Sequence, residues 1–451
     1  MLVTDLLIVS ARARLQAGLR FVAALVLVAV GAAAFAIAFR WLLRAVFTGA
    51  AGVTDVVSMV TALPWWGRLA LPAAGGVLAG SVALAVSRAT QGQGVGDVME
   101  AVAYGRGQLS MRTTLLKSLG SWLAIVSGGS IGREGPLIQF GGGLGSSVAR
   151  LLGIDGTRGR MLMAAGTAAG FAAAYNTPLA AVLFVLEVVT GLVALDAVLA
   201  TVVATAIATA ITRAAIGGGP IYQERGFTIA SQAELLAYAA LGVLGALTAQ
   251  AFMRLLAGGE DFFARSKIPQ PWRAGLGGLA VGAIAIGLPQ VTGNGYEPLN
   301  AMLDGTVPLA LVLGLLVAKA FATTASVSSG SPGGVFTPTL LLGAAVGMAL
   351  QAALVAVLGP KAVGGAGAYA LVGMAATTAA MTHAPMMAAV LVFELSGDYA
   401  IVVPLLLATA IATALSRAMR ADSLYGAELR RRGVAWEVTL EGRKMIPVEK
   451  E

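Results

Sequence analysis

Two stretches of similar sequence decide the fold: SGGSIGREGP at residues 127–136 and SGSPGGVFTP at residues 329–338. Their glycines and prolines cannot continue a helix, whereas the residues that follow are apolar and compatible with one. Each stretch therefore predicts a loop that ends at a helix N-terminus, where backbone N–H groups lack partners and the helix dipole is positive. Such an N-terminus is a ready site for an anion.

The similarity of the two stretches extends through most of the chain as an internal repeat. The matches occur in the same order in both halves: Lys117 with Lys319, Asn176-Thr177-Pro178 with His383-Ala384-Pro385, Glu187 with Glu394, and residues 204–213 (ATAIATAITR) with residues 408–417 (ATAIATALSR). The repeats occupy about residues 20–225 and 234–426. Paired halves with interrupted helices in corresponding places are typical of transporters whose site lies between the halves. We therefore predict two repeats of inverted topology that meet at an anion site near the bilayer midplane.

Composition restricts the class of protein to a polytopic membrane protein. The chain has 451 residues, of which 58% are hydrophobic and 12% charged, against about 25% charged in ordinary soluble domains. It has no cysteine and one histidine, which excludes disulfide scaffolds, thiol catalysis and histidine-rich zinc sites. Six stretches are the clearest candidates for spanning helices: Phe21–Ala45, Leu69–Val86, Leu235–Leu256, Ala274–Leu288, Val307–Phe321 and Ile401–Leu415. Shorter or interrupted apolar stretches include Thr339–Val357.

The net charge of +8 lies mainly at the two ends and in loops. Under the positive-inside rule this distribution indicates cytoplasmic termini, and it does not indicate nucleic-acid binding. We predict a cytoplasmic N-terminus (residues 1–19), a transmembrane domain (residues 20–426) and a short cytoplasmic tail (residues 427–451). The N-terminus shows no cleavable signal peptide.

Glu134 is the candidate gate. The second loop holds no acidic residue, but the first places Glu134 between two glycines at the corresponding point. A carboxylate there would occupy the anion site itself, and its protonation or displacement would open the path. The alternative is a simple helix-capping role for an acidic first-turn residue. The matched second loop favours the gate.

With these motifs the chain resembles the CLC family of chloride channels and proton-coupled chloride exchangers. The resemblance covers nearly the whole chain and rests on residues 132–136 (GREGP), 334–338 (GVFTP), 168–187 (AAGFAAAYNTPLAAVLFVLE), 382–399 (THAPMMAAVLVFELSGDY) and 424–432 (LYGAELRRR). The second-half motifs look closest to the bacterial B-type branch of voltage-gated chloride channels. The resemblance implies a homodimer in the bacterial inner membrane, with one anion path in each subunit.

The resemblance also implies residue roles. A central anion site would use the backbone N–H groups of Val335 and Phe336 with the hydroxyl of Tyr425. An external site, contested by Glu134, would use the amides around Arg133 and Gly135. No metal or organic cofactor is expected, since chloride is itself the bound and transported ion.

Two departures from the family pattern affect these expectations. Gln93 stands where the family places a serine hydroxyl on the central anion, and Gly96 replaces the proline of that loop. A glutamine amide can donate a hydrogen bond, so Gln93 is either an anion ligand or part of a flexible bend. Val188 stands where exchangers often carry a second, proton-passing glutamate. Valine carries no proton, which favours a passive channel.

Other polar residues in apolar surroundings suggest structural roles. Glu187 and Glu394 are expected to pair at helix ends or interfaces, because ionisable groups in apolar helices need partners. Lys117 and Lys319 either give an anion vestibule its positive potential or snorkel to the membrane surface. His383 replaces Asn176 of the first repeat, which favours a loop hydrogen bond over a proton relay.

The sequence therefore predicts an all-α membrane protein that conducts chloride and similar anions passively, with a role as a charge shunt in acid stress. The main alternative is a proton-coupled chloride exchanger. A membrane enzyme is disfavoured because the chain lacks HExxH, GxSxG and paired intramembrane aspartates. A cation transporter is disfavoured because the paired loops offer N–H groups and not carboxylate cages.

Overall fold

The computed structural model describes residues 2–86, 94–104, 109–191, 195–217, 231–433, 435–439 and 442–446. Gln93 lies outside these residues, so its predicted contact with the anion stays a prediction. Within them the protein is helical apart from one two-stranded hairpin. This confirms the predicted all-α membrane fold built from two inverted repeats.

Eighteen α-helices and two strands follow one another along the described residues. They are α1 Leu2–Ala51, α2 Val56–Ala62, α3 Trp65–Val86, α4 Val95–Tyr104, α5 Met111–Val126, α6 Glu134–Leu151, α7 Gly156–Tyr175, α8 Pro178–Phe184, α9 Leu195–Ile216, α10 Glu234–Arg265, α11 Gln270–Gly287, α12 Tyr296–Leu303, α13 Leu309–Ser328, α14 Phe336–Leu358, α15 Ala366–Thr382, α16 Pro385–Ser396, α17 Val402–Met419, α18 Leu424–Arg431, β1 Ala435–Thr439 and β2 Gly442–Ile446. Helix α8 continues into a π-helical turn at Val185–Thr190, and short 3-10 turns lie at Pro289–Val291 and Tyr399–Ile401.

Seven helical segments among the described residues are long and apolar enough to cross a membrane: Arg14–Ala62, Trp65–Val86, Ala197–Ile216, Glu234–Arg265, Leu309–Ser328, Phe336–Leu358 and Tyr399–Arg431. Two differences from the sequence prediction stand out. Thr339–Val357 is part of a continuous 23-residue helix and is not interrupted. The predicted span Ala274–Leu288 lies in α11 except for its last residue, the C-cap Leu288, and it falls outside the seven because the 18 residues of α11 include the polar Gln270 and Arg273.

The repeat is visible in how equivalent helices pack. Helices α6 and α7 cross at Gly141 and Gly166, where a Cβ on Gly141 would lie 1.9 Å from the Gly166 carbonyl oxygen. Helices α14 and α15 cross in the same way, where a Cβ on Gly343 would lie 2.3 Å from the Gly373 carbonyl oxygen. Only glycine permits this backbone approach, which explains part of the glycine content.

The ends of α7 and α15 confirm another match within the repeat. Asn176 and His383 both end their helices in the left-handed conformation, with φ of 58° and 57°. Asn176 accepts a hydrogen bond from Arg213 Nε at 2.8 Å. His383 Nε2 lies 3.2 Å from the hydroxyl of Ser416. The loop hydrogen bond expected for His383 is therefore present.

The chain after α18 forms an antiparallel hairpin in which Ala435 pairs with Ile446 and Thr439 with Gly442. The sequence predicts only a short cytoplasmic tail for this region. A hairpin of five-residue strands was not evident because the sequence between them, Leu440-Glu441, does not match the Asn-Gly or Asp-Gly signature of a tight hairpin turn.

Candidate functional site

The two repeated loops meet at the N-termini of α6 and α14. Gly132 and Gly334 form an isolated antiparallel bridge. The Gly132 N–H donates to the Gly334 carbonyl at 2.7 Å, and the Gly334 N–H donates to the Gly132 carbonyl at 3.1 Å. The bridge fixes the two loops against each other. Helix α6 then begins at Glu134 and helix α14 begins at Phe336.

Local sequence explains why each loop turns where it does. Gly128 and Gly330 hold the same position in the repeat and both have left-handed backbones, with φ of 93° and 98°. A side chain is strained there, so the turn requires glycine. Pro136 and Pro338 each occupy the third residue of the following helix, where a missing N–H costs no helical hydrogen bond.

The carboxylate of Glu134 lies on the N-terminus of α14. Its Oε1 accepts hydrogen bonds from the backbone N–H groups of Phe336 at 2.9 Å and Thr337 at 3.2 Å. Its Oε2 accepts from the hydroxyl of Thr337 at 3.0 Å. The Glu134 side chain is only 2% exposed. A buried carboxylate therefore fills the position that the sequence analysis assigned to an anion.

The two bridge glycines leave room for this carboxylate. A Cβ on Gly132 would lie 2.0 Å from Glu134 Oε1, and a Cβ on Gly334 would lie 2.5 Å from the same atom. Real Cβ atoms do not approach oxygen so closely. Glycine at both positions is therefore a condition for the observed position of the carboxylate.

Aromatic rings surround the helix N-terminus. The ring of Phe336 lies 5.7 Å from those of Phe171 and Tyr175. The buried ring of Tyr425 meets Phe184 edge-on at 6.5 Å. These apolar walls exclude water, and in such surroundings hydrogen bonds to an anion are stronger than in water.

The predicted site residues are distributed around this carboxylate as follows. Phe336 donates to it, but the second amide belongs to Thr337 and not to Val335. Val335 is the buried N-cap of α14. Arg133 is the N-cap of α6, and Gly135 is a buried first-turn residue whose Cα faces Gly334. The direct anion contacts of Val335, Tyr425, Arg133 and Gly135 stay predictions.

Two neighbouring cavities share Lys117, Pro332 and Gly333 in their lining. A large cavity of about 360 Å³ reaches Lys117, Arg273, Arg432, Pro332 and Gly333. A cavity of about 20 Å³ shares Lys117, Pro332 and Gly333 with it and extends to Gly135.

Beside Glu134 lies a third cavity, the tyrosine pocket, of about 10 Å³, roughly the space of one water. It is lined by Arg133, Glu134, Ala174, Tyr175, Asn294, Tyr296 and Thr337. Glu134 lines this pocket but not the two cavities at Lys117.

Asp97, which was not predicted from the sequence, holds two side chains that line the large cavity, Lys117 and Arg432. This buried carboxylate on α4 contacts Lys117 Nζ at 2.5 Å, Gln139 Nε2 at 3.1 Å and Arg432 Nη1 at 2.8 Å. It ties α4 to α5, α6 and α18, the helix that carries Tyr425. Its place three residues after the Gly-Gln-Gly loop was visible in the sequence, but its partners were not.

The two repeated lysines are buried, so the snorkelling alternative is wrong. Lys117 pairs with Asp97 at the large cavity. Lys319 is fully buried and its Nζ donates to the carbonyls of Val291 at 2.8 Å and Gly293 at 2.7 Å. Lys319 therefore holds the loop before α12 with its positive charge near Glu134. In the part of the chain that the structure describes, no group of three or more His, Asp or Glu residues is placed to hold a metal ion.

Known proteins share sequence with this chain. A family model described as voltage gated chloride channel matches residues 75–417. A putative chloride channel protein ClcB-like from Ralstonia nicotianae is 39% identical over 400 residues, covering 88% of this chain and 93% of that protein. The voltage-gated ClC-type chloride channel ClcB of Salmonella typhimurium is 35% identical over 406 residues, covering 89% and 95%.

Solved structures share the fold. A slow cyanobacterial Cl⁻/H⁺ antiporter superposes with a TM-score of 0.82 at 22% identity, covering 92% of this chain and 98% of that one. A CLC-type fluoride/proton antiporter superposes with a TM-score of 0.73 at 20% identity, covering 89% and 95%.

Proposed function

Since the chain belongs to the CLC family of chloride channels and transporters, we propose that it is a chloride channel that conducts passively and is gated by Glu134. Members of this family move anions and are not enzymes. The observation that carries the proposal is the carboxylate of Glu134 on the amides of Phe336 and Thr337. A group that can be displaced or protonated occupies the one place where the helix N-terminus offers donors to an anion.

Conduction follows from exchange of the carboxylate for chloride. Chloride enters from the large cavity, whose charged lining consists of Lys117, Arg273, Arg431 and Arg432 together with Glu260, Asp261 and Glu428. Once Glu134 has left the N–H of Phe336, chloride binds the central site at the amides of Val335 and Phe336 and the hydroxyl of Tyr425, with Gln93 as a further ligand. It then passes to the amides around Arg133 and Gly135.

Val188 supports passive conduction over proton exchange. It is 1% exposed inside the π-helical turn and offers no group that takes up a proton. The alternative, a proton-coupled chloride exchanger, is favoured by Glu134, which is itself titratable and lies in the path. In an exchanger, this carboxylate would carry a proton across as chloride moves the other way.

We further propose the cellular setting that the resemblance implies. The channel is a homodimer with one path per subunit, spans the bacterial inner membrane and keeps both termini in the cytoplasm. There it serves as a charge shunt in acid stress, because a passive chloride path dissipates the potential that proton movement builds up.

The test is chloride efflux from liposomes with proton movement recorded at the same time. We compare the wild type with Glu134→Gln, which removes the charge, and with Asp155→Asn, which makes the same change at an exposed carboxylate. We expect chloride flux without proton flux, and loss of the pH dependence of chloride flux in Glu134→Gln only. A pH-gated flux retained in Glu134→Gln contradicts the gate.

A second measurement separates channel from exchanger. In a pH gradient, the reversal potential of a passive channel stays at the chloride equilibrium potential. A shift away from that potential shows coupling and supports the exchanger.

A further inference from the structure

Glu134 is held by a side-chain hydroxyl as well as by backbone amides. The Thr337 hydroxyl donates to Glu134 Oε2 at 3.0 Å and lies 2.8 Å from the hydroxyl of Tyr175. Thr337 is 3% exposed and Tyr175 is 7% exposed. Thr337 belongs to the second repeat and Tyr175 to the first, so the two hydroxyls reach Glu134 from both halves.

The chemistry of the three groups fixes the direction of these hydrogen bonds. An ionised carboxylate only accepts, so the Thr337 hydroxyl must donate to it. That leaves the Thr337 oxygen to accept from Tyr175. A bound anion also only accepts, so the same arrangement suits chloride in place of the carboxylate. A protonated carboxyl presents a donor at one oxygen. The series of hydrogen bonds from Tyr175 through Thr337 to Glu134 then persists only if the two hydroxyls rotate.

From this geometry we propose that Tyr175 and Thr337 form a hydroxyl latch. The latch stabilises the ionised carboxylate of Glu134 on the N-terminus of α14 and is weakened when that carboxylate takes up a proton. After Glu134 leaves, the Thr337 hydroxyl, oriented by Tyr175, becomes a side-chain ligand of the anion that replaces it. The inference rests on the proposed function and adds two residues to its gate and its anion site.

Charged and titratable groups from every neighbouring element also act on Glu134, and the test has to leave them unchanged. They are Arg133 beside it on the same loop, Tyr296 on α12, Lys319 on α13 and Tyr425 on α18. Arg40 on α1 and Glu297 on α12 interact in turn with Arg133. Replacing a neutral hydroxyl alters none of these charges. An effect of such a replacement is therefore an effect of the latch.

The variants separate the hydroxyl from the shape of the side chain. Thr337→Val has nearly the same shape and no hydroxyl, Thr337→Ser keeps the hydroxyl, and Tyr175→Phe removes only the orienting hydroxyl. Thr61→Val and Tyr399→Phe make the same changes at exposed positions. Size-exclusion profiles in detergent confirm that each variant is folded.

The first readout is chloride efflux from liposomes as a function of pH. Removing one hydrogen bond to a charged group, worth about 1.5 kcal/mol or more, frees the carboxylate about ten-fold more often. We therefore expect about ten-fold higher flux at neutral pH in Thr337→Val, and half-maximal flux at a higher pH. Tyr175→Phe should raise the flux at neutral pH and the pH of half-maximal flux as well. Thr337→Ser, which keeps the hydroxyl, should leave both at their wild-type values. A wild-type pH profile in both Thr337→Val and Tyr175→Phe overturns the latch.

The second readout isolates the ligand role. On a Glu134→Ala background the gate is absent, and chloride binding is measured by calorimetry in detergent. Adding Thr337→Val should raise the chloride Kd several-fold, and unchanged affinity overturns the ligand role. The proposed function fails separately: if neither the wild type nor Glu134→Ala carries chloride, the protein is not a chloride pathway. If Glu134→Ala raises the flux but Thr337→Val does not, only the latch fails.

Discussion

Glu187 and Glu394 each cap the N-terminus of a helix in the other half of the protein. Glu187 accepts hydrogen bonds from the N–H groups of Met386 at 3.3 Å and Met387 at 2.7 Å, at the start of α16. Glu394 accepts from Leu179 at 3.0 Å and Ala180 at 2.8 Å, at the start of α8. Each carboxylate lies in one repeat and caps a helix of the other. The same chemistry that places Glu134 on α14 therefore recurs twice, at the starts of α8 and α16.

Replacing either cap is expected to lower stability and leave conduction unchanged. In Glu187→Gln or Glu394→Gln, one acceptor oxygen becomes an NH₂ group that faces a backbone donor. We expect the free energy of unfolding to fall by about 1.5–3 kcal/mol, the value of hydrogen bonds to a charged group. The measurement is thermal unfolding in detergent with Asp155→Asn as control. An unaltered Tm in both variants would show that the caps contribute nothing.

Substitution of a bridge glycine, Gly132 or Gly334, is a second way to displace the Glu134 carboxylate. In Gly334→Ala the new Cβ would lie 2.5 Å from Glu134 Oε1, and the flexible carboxylate can yield more cheaply than the backbone. We expect the carboxylate to leave the amides and chloride efflux at neutral pH to rise about ten-fold, as for the loss of a charged hydrogen bond.

The control for this glycine is Gly314→Ala, where an added Cβ meets nothing within 4 Å. Equal flux in Gly334→Ala and Gly314→Ala would mean that crowding of the carboxylate does not open the path.

Tyr425 is expected to bind chloride through its hydroxyl. Tyr425→Phe keeps the ring that packs on Phe184 and removes the donor. A hydrogen bond to an anion is worth about 1.5–3 kcal/mol, so the chloride Kd should rise about ten-fold or more. Calorimetry in detergent gives the value, with Tyr399→Phe, at a tyrosine that is 79% exposed, as the reference. If the two variants bind chloride equally, Tyr425 is not a ligand.

The sequence predicted those features that depend on local chemistry. The loops of Gly132 and Gly334 turn because of their own glycines and prolines, and the anion site follows from the helix N-terminus after each loop. The repeat was visible because equivalent positions keep the same residue types, as Glu187 and Glu394 do. These inferences need no knowledge of distant partners.

The remaining features depend on contacts between distant segments. Tyr175 and Thr337 are 162 residues apart, and nothing local to either indicates that their hydroxyls meet. Lys117 and Lys319 looked able to snorkel because hydropathy does not show which face of a helix points inward. Asp97 was missed for the same reason, since its partners come from α5, α6 and α18.

Asp97 is expected to be the most sensitive of these positions to substitution. Its carboxylate holds Lys117 and Arg432, and both lysine and aspartate are about 10% exposed or less. In Asp97→Asn, Arg432 keeps its ion pair with Glu428, whereas Lys117 is left as a buried charge without a counter-charge. Removing one partner of a buried pair costs about 3–5 kcal/mol, so thermal unfolding in detergent should show a large loss of stability.

A second substitution identifies the cause of the stability lost in Asp97→Asn. If the uncompensated charge of Lys117 is responsible, Asp97→Asn combined with Lys117→Met regains much of the stability, because the neutral pair has no buried charge. Asp97→Asn combined with Arg432→Gln should show no such recovery, since that change breaks the pair with Glu428 as well. Equal recovery in both double variants would place the stabilising role of Asp97 on Arg432 and on the position of α18, and not on Lys117.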